Sequence, residues 1–428
     1  MVIGTALLAI VFSLAFTSCQ NASSSSDASG GCGLEGCKIV APDPNATDTF
    51  AFGVAIDGDK MVAGSIVDDP STDAGAAYVF AYEDGDWLVE QKIQHTTPVP
   101  VGGDFFGNAV AMQGDRIAVG AQGVESTGAE ARAGSVFIFE FDSGSWSQVQ
   151  RIEAPDAALD DRFGVSVDLD GDWLVVGSYL DDDNNSASGS VYVFEHDGLE
   201  YVFDEKLNMQ NNSGNDRFGV SVAVDGDILV AGALNDNFFF TGNESGSAGV
   251  FRHDDTDWIH EGFTANDALV GDTFAPFDHF GTSVDIDDGV IVVGAPGVDG
   301  DEEDEGIVWV YRFDGGKWSH YLDDNIETIR PSDPSESKLF GNSVSIEGNR
   351  VIVGAKLDDE EGQRAGATYV FEYEGGEWVE QHKLTAPDAT TGDNFGVSAV
   401  VSGDTIIVGA PLAGPGNDAS GAAYGFEL

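Results

Sequence analysis

The stretch that decides the fold is Phe163-Gly164-Val165-Ser166-Val167-Asp168-Leu169-Asp170-Gly171-Asp172-Trp173-Leu174-Val175-Val176-Gly177-Ser178. Val165, Val167 and Leu169 alternate with Ser166 and Asp168, the period-two pattern of a strand with one buried face. Asp170-Gly171 supplies the left-handed conformations of a tight hairpin turn. Trp173 to Val176 is almost wholly apolar, as in a strand buried on both faces, and stops at Gly177-Ser178. After the polar loop YLDDDNNSAS, Gly189-Ser190 leads into a third strand, Val191-Tyr192-Val193-Phe194. The turn His196-Asp197-Gly198 then introduces a fourth, roughly Tyr201 to Leu207.

This unit recurs. Phe-Gly stands at Phe52-Gly53, Phe106-Gly107, Phe163-Gly164, Phe218-Gly219, Phe280-Gly281, Phe340-Gly341 and Phe395-Gly396. Successive Phe numbers differ by 54, 57, 55, 62, 60 and 55, a fixed-period array. Seven units of four short antiparallel strands predict an all-β, seven-bladed β-propeller. The last copy ends after its third strand, at Leu428, while Leu34–Asp43 parallels the fourth strand of the sixth copy, Val379–Asp388. The N-terminal strand is therefore expected to complete the last blade, close the ring and remove an open edge.

These residues resemble the FG-GAP repeat, the unit of the integrin α-subunit propeller, over roughly residues 33 to 428. The likeness rests on Phe-Gly and on the element ending each second strand: Gly294-Ala295-Pro296 and Gly409-Ala410-Pro411 in full, with Gly64-Ser65, Gly120-Ala121, Gly177-Ser178, Gly232-Ala233 and Gly354-Ala355 as variants. Calcium-binding members of that family carry D-x-D-x-D-G-x-x-D between the first two strands. Here that loop has shrunk to turns such as Asp57-Gly58-Asp59, too short to wrap an ion that needs six to eight oxygens. The resemblance therefore implies the fold but not those calcium sites, and one architecture hosts many functions.

Residues 2–16, VIGTALLAIVFSLAF, are an uncharged apolar run suited to a signal h-region. The run meets Phe16-Thr17-Ser18-Cys19 and then a Ser-rich stretch, resembling a bacterial lipoprotein signal in which Cys19 carries the lipid. Ordinary cleaved secretion and an uncleaved anchor are the alternatives. The expected organisation is a signal peptide over 1–19, a Ser/Gly-rich tether over 20–32 and the propeller over 33–428. By the same resemblance, Gln20 after the cysteine implies the outer membrane if the cell is Gram-negative. Cys32 and Cys37 lie on the exported side, where disulfides persist. Either they bond, or an extended strand over residues 33–40 holds them apart.

Against 18 basic residues stand 75 acidic ones, a formal charge of −57. Such a surface repels phosphates and anionic headgroups, which excludes nucleic acid as a partner and leaves the membrane reachable only through a lipid anchor. The charge is read as adaptation to a saline medium, with a cation-loaded functional surface as the alternative. The loops between second and third strands are long and dissimilar, as expected of a specialised surface. Asp181, Asp182 and Asp183 in one, and Asp299, Asp301, Glu303, Asp304 and Glu305 in another, are candidates for loose Ca²⁺ binding; the alternative is solvated charge. Phe238, Phe239 and Phe240 are a candidate ligand contact or a cover for a blade junction. An aspartate stands two residues before five motif phenylalanines (Asp104, Asp161, Asp216, Asp278, Asp393), a recurrence expected of a structural group bonding backbone N–H at the strand entrance.

No nucleophile elbow, HExxH or cofactor-type glycine loop occurs. His279, beside a Phe-Gly, reads as a local variation rather than a base. The expectation is a non-enzymatic, surface-tethered binding or adhesion module for a protein or glycan, requiring no cofactor. An envelope scaffold is the alternative, and a propeller hydrolase or lyase ranks below both.

Overall fold

The computed structural model describes residues 19–20, 32–68, 74–96, 99–128, 131–209, 214–236, 244–261, 276–300, 302–313, 318, 327–414 and 419–428. There are seven antiparallel sheets: six hold four strands in chain order, and the seventh joins the last three strands of the chain to two N-terminal ones. In blade 1 the strands are Phe50–Asp57, Lys60–Ser65, Ala76–Glu83 and Asp86–Ile93. The second strand of every blade is buried from its second residue onward, as its apolar run requires. Seven apolar clusters lie between neighbouring sheets; one packs Val230 and Val250 of blade 4 against Phe280 and Trp309 of blade 5.

Closure follows the expected route. Cys37–Ile39 pairs with the last strand, Ala422–Glu427, in the register Cys37↔Gly425, Lys38↔Tyr424 and Ile39↔Ala423. Cys19–Gln20 adds an outer strand through Cys19↔Ile39 and Gln20↔Lys38, inside the stretch read as leader end and tether. The two cysteine readings resolve in favour of the bond. The strand starts only at Cys37, residues 33–35 turn, and Cys32 and Cys37 form a disulfide with Cα atoms 5.1 Å apart. The Gly33 carbonyl in that turn accepts from Glu427 N–H at 3.2 Å, carrying the closing contact beyond the strand.

Three tiers of contacts join each blade to the next. At the first-strand entrance, each motif Phe N–H donates to a carbonyl just before the preceding blade's third strand: Phe106 to Ala74, Phe163 to Ala133, Phe218 to Ser188, Phe280 to Ser245, Phe340 to Glu305 and Phe395 to Ala365, at 2.8–3.2 Å. Phe50 to Ser420, 3.1 Å, is the seventh link and joins the two ends of the chain. Midway, the second-strand glycine rests against the motif carbonyl of the next blade. A Cβ on Gly64, Gly120, Gly177, Gly232, Gly294 or Gly354 would overlap the carbonyl oxygen of Gly107, Gly164, Gly219, Gly281, Gly341 or Gly396 in turn.

The third tier lies at the tight turns. Asp57 accepts from Gly114 N–H (2.6 Å), Asp170 from Gln113 (2.9 Å) and Gly226 (2.7 Å), Asp225 from Asp288 (2.8 Å) and Asp287 from Gly348 (2.6 Å). Glu347 accepts from Gly403 and Ser402 from Gly58, which completes the circuit. The aspartates read from sequence as turn chemistry thus cap the neighbouring blade's turn as well.

One repeat assignment is corrected. The first copy's motif is Phe50-Ala51, not Phe52-Gly53: Phe50 is fully buried and makes the interblade bond, whereas Phe52 is 37% exposed. Ala51 holds the left-handed conformation (φ 65°) that glycine takes elsewhere, and its carbonyl meets Gly409 as Gly107 meets Gly64. The decoy pair sits two residues along the same strand, and only packing distinguishes them. The aspartate position then gains a sixth member, buried Asp48, and in blade 6 it is filled by buried Lys338.

Two stability outcomes are expected. Gly232→Ala forces a methyl into the Gly281 backbone and will cost about 3 kcal/mol or more. Gly226→Ala, in open space at φ 58°, will cost only about 1–2 kcal/mol. Urea midpoints of the two variants check the order; equal losses would remove the glycine contact as a determinant. Reduction of Cys32–Cys37 should lower stability by about 2 kcal/mol, the loop-entropy value for so short a loop, read as a lower melting temperature in dithiothreitol.

Candidate functional site

Antiparallel order puts the two faces of the disc to different use. Among the described residues, the connections between first and second strands, and between third and fourth strands in blades 1 to 4 and 6, are tight turns on one face. The connections between second and third strands, and from each fourth strand to the next blade, gather on the other. This loop face carries the dissimilar segments, and its polar residues repeat in a recognisable cluster.

In blade 3 the third-strand Tyr192 donates from its hydroxyl to Asp156 (2.8 Å) or Asp181 (2.7 Å), and the fourth-strand Lys206 binds Asp156, Asp181 and Asp183 at 2.7, 2.9 and 2.7 Å. Asp156 follows the fourth strand of blade 2, so the cluster staples two blades. Blade 1 repeats it with Tyr78, Asp43, Asp68 and Lys92, blade 6 with Tyr369, Asp333, Asp358 and Lys383, and blade 7 with Tyr424, Asp388 and Lys38. Burial alone would raise Asp156, but hydrogen bonds from Lys206 and Tyr192 outweigh it and hold the carboxyl below the ordinary range. Asp43, Asp333 and Asp388 are lowered in the same way. Burial and the adjoining carboxylates push the Tyr192 hydroxyl far up, so it stays a donor.

Among the described residues, Asp156, Asp181 and Asp183 are the one group of three acidic side chains close enough to share a cation. The Lys206 ammonium already bonds all three. Asp182, the middle residue of the predicted trio, is exposed. In the other acidic loop, Asp299 is exposed and accepts from Asp304 N–H, while the carbonyls of Glu303, Asp304 and Glu305 receive N–H groups of the next blade's entrance. Glu305 is buried with Arg330 3.8 Å away; Asp301 lies outside the described residues. Phe238, Phe239 and Phe240 also lie outside them, and of Cys19 only the strand pairing is described.

Four of the aspartates before the motif phenylalanines do the backbone work expected of that position. Asp104, Asp161 and Asp393 accept from the N–H three residues earlier, at 2.8, 2.6 and 2.6 Å, and Asp48 does the same with Asn45. Burial, then the Asp181–Asp183 charges, lift Asp161 to about 6 despite that bond. In blade 6, Lys338 reverses the charge and reaches Tyr369, Asp333 and Asp358 at 2.9–3.0 Å.

Two further carboxylates, not singled out as site candidates from the sequence, sit on the innermost strands. Asp168 accepts from its neighbour Leu169 and from Val224 of blade 4, and Asp285 from Ile286 and from Ile346 of blade 6. Both keep some exposure to the bore yet are ringed by protein, and this burial lifts them to about 8 and about 7.

Replacing Lys206 by Met should leave three converging carboxylates uncompensated. We expect a lower melting temperature in chelator and recovery by millimolar Ca²⁺, with a smaller Ca²⁺ response in the parent; unchanged melting in chelator would contradict the staple. The bore carboxyls predict a pH effect of opposite sign to the stapled ones. A raised folded-state pKa gives stability that is full below the unfolded value near 3.8 and is lost as pH rises to about 7–8. Asp168→Asn combined with Asp285→Asn should therefore gain on the parent progressively from pH 4 to 8 in urea denaturation; a constant difference would refute it.

The FG-GAP repeat family matches seven segments, residues 35–80, 87–139, 146–194, 201–251, 261–311, 324–371 and 378–426. No curated protein matches the sequence. Among solved structures, a chain in the "Crystal Structure of Mitotic Checkpoint Complex" is similar over 99% of both chains, with a TM-score of 0.52 and 12% identity, a likeness of fold alone. With a matched segment in every blade and the motif contacts at each junction, the chain belongs to the FG-GAP repeat family.

Proposed function

We propose that the protein is an exported, surface-tethered binding or adhesion module that recognises a protein or glycan through its loop face. The observation carrying this reading is the contrast between the faces. One is built of near-identical turns consumed in capping one another, and the other presents long segments that differ from blade to blade. Variable loops on a rigid scaffold are the usual arrangement for recognition. The internal staples leave the scaffold able to hold those loops without a cofactor, and Ca²⁺ is proposed only as a weak, non-essential occupant of the acidic segments.

A lipid on Cys19 would lie at the outer edge of blade 7 and leave both flat faces open, which suits display from an outer membrane or cell surface. The charge of −57 supports soluble, non-nucleic-acid partners. No catalytic role is proposed.

The reading is tested by screening the full protein on protein and glycan arrays, with two variants beside it. Trimming the exposed loop residues 182–186 to a short Gly-Ser link should lower binding at least severalfold. Asp59→Asn with Asp404→Asn, on the turn face, should not. Equal loss from both variants would refute recognition by the loop face, and failure of the parent to bind any arrayed molecule would favour the scaffold.

A further inference from the structure

Near the turn face, the end of the third strand and the start of the fourth set two rings against the preceding blade. Phe141 and Trp146 do so in blade 2, Phe313 and Trp318 in blade 5, and Tyr373 and Trp378 in blade 6, with centroids 5.2–5.3 Å apart. The preceding blade lays a cation on these rings. Lys60 lies 4.0 Å from the Phe141 centroid, Arg252 4.3 Å from Phe313, Arg312 4.3 Å from Tyr373 and Arg116 6.0 Å from Tyr201 of blade 3. A cation within about 6 Å of an aromatic face is held by the ring's quadrupole. It comes either from the first residue of the second strand (Lys60, Arg116) or from the residue paired with that position on the third strand (Arg252, Arg312).

The junction between blades 3 and 4 departs from this pattern. The second strand of blade 3 begins with Trp173, and the residue paired with it is Glu195. Neither position holds a cation. Blade 4 places His253 where blade 2 has Phe141, and three rings close on one another: Trp173 to His253 at 4.8 Å, Trp173 to Trp258 at 5.1 Å and His253 to Trp258 at 5.3 Å. The neighbouring Arg252 reaches the other way, to Phe313, Glu261 and Asp227. In this cluster the side chain able to carry positive charge is the half-buried His253.

The charged groups around it favour a cation. From the fourth strand of blade 3 comes Asp204, whose carboxyl is raised by burial and by Asp257, while His253 across the junction acts against the rise. In the histidine's own hairpin turn, Asp254 is held below the ordinary range, first by the Thr256 hydroxyl and to a lesser degree by His253. The remaining carboxylates nearby are engaged: Glu205 accepts from Trp258 N–H at 2.9 Å, and Asp227 from Arg252 at 3.2 Å. The Asp227 carbonyl accepts the His253 N–H at 2.8 Å and fixes the backbone. At the bore end of the same junction, Asp168 accepts from Val224 N–H at 2.8 Å, and burial lifts it to about 8. Rising pH therefore charges a buried group at one end of this junction and can discharge a cation at the other, and both changes loosen it.

We propose that His253 is a pH-sensing clasp between blades 3 and 4, its protonated ring supplying the cation that a lysine or arginine supplies at four other junctions. Acid closes the clasp, because the imidazolium meets two indole rings and the Asp204 carboxylate, and parting the blades removes all three. Alkali leaves ring packing alone. Imidazole changes charge between about pH 5 and 8, whereas lysine and arginine keep theirs through that range. The ring of blades thus contains a seam whose strength follows pH, set among junctions whose clasps do not.

The test follows melting of the full protein at constant ionic strength from about pH 5.5 to about pH 8.5, across the imidazole range. His253→Phe installs the ring that blades 2 and 5 have at this position. It should lower the melting temperature by about 1–2 °C at the acid end and leave it unchanged at the alkaline end. Asp168 is common to both proteins and drops out of the comparison. A loss that is equal at both ends, or larger in alkali, would overturn the clasp. Trp173→Lys, which copies blade 1, serves if the first variant does not fold. Its permanent cation should raise the melting temperature in alkali and give less or nothing in acid, where it meets the imidazolium. Profiles of that variant and the parent that run parallel would also overturn the proposal. Indole fluorescence of the unsubstituted protein supplies a third reading: a protonated imidazole quenches adjacent indoles, so emission should fall in one step on acidification. Flat emission would sink the clasp as well.

Discussion

The structure depends on how closely one blade can approach the next. At each junction a second-strand glycine lies on the carbonyl of the following motif, and the motif Phe N–H reaches back to a carbonyl of the preceding blade. Any side chain at that glycine would push the sheets apart, and the error would accumulate around seven junctions until the ring no longer met. The two halves of the family's signature are therefore the two sides of a single contact, repeated around the disc. Blade 1 shows what is essential: Ala51 keeps the contact because the requirement is a left-handed backbone and an accessible carbonyl, while the smallest residue is needed only on the opposite side.

A ring so tightly specified can spend little variation on its strands. The turn face is fixed as well, since its carboxylates serve as caps for neighbours. Variation is left to the loop face, where even the acidic residues are partly structural. The Tyr–Asp–Lys staples show how an extremely acidic chain stays folded. Buried carboxylates are tolerable where a lysine and a tyrosine hydroxyl converge on them, and such networks hold only when every member is satisfied. Blade 6 adds a second lysine to the same cluster, where other blades place the aspartate that binds their own loop.

The same economy explains why a carboxylate trio in sequence is a poor guide to a metal. Asp181 and Asp183 do converge, yet on Lys206, and Asp182 between them faces solvent. Adjacent residues in a loop diverge, whereas Asp156, distant in sequence, arrives from the previous blade.

By itself the sequence determined the strand pattern, the sevenfold count and the closure by the N-terminal strand, because period-two burial, turn residues and the offset of the termini are local or periodic properties. It also determined the structural task of the repeated aspartates, whose recurrence requires a task present in every blade. Tertiary packing decided which of Phe50 and Phe52 enters the core, and whether Cys32 reaches Cys37. It decided as well which carboxylates meet a lysine, and it set Asp168 and Asp285 against the next blade's innermost strand. Those outcomes turn on how side chains and turns pack in three dimensions, several of them across blade junctions between residues some fifty positions apart, which no local pattern encodes.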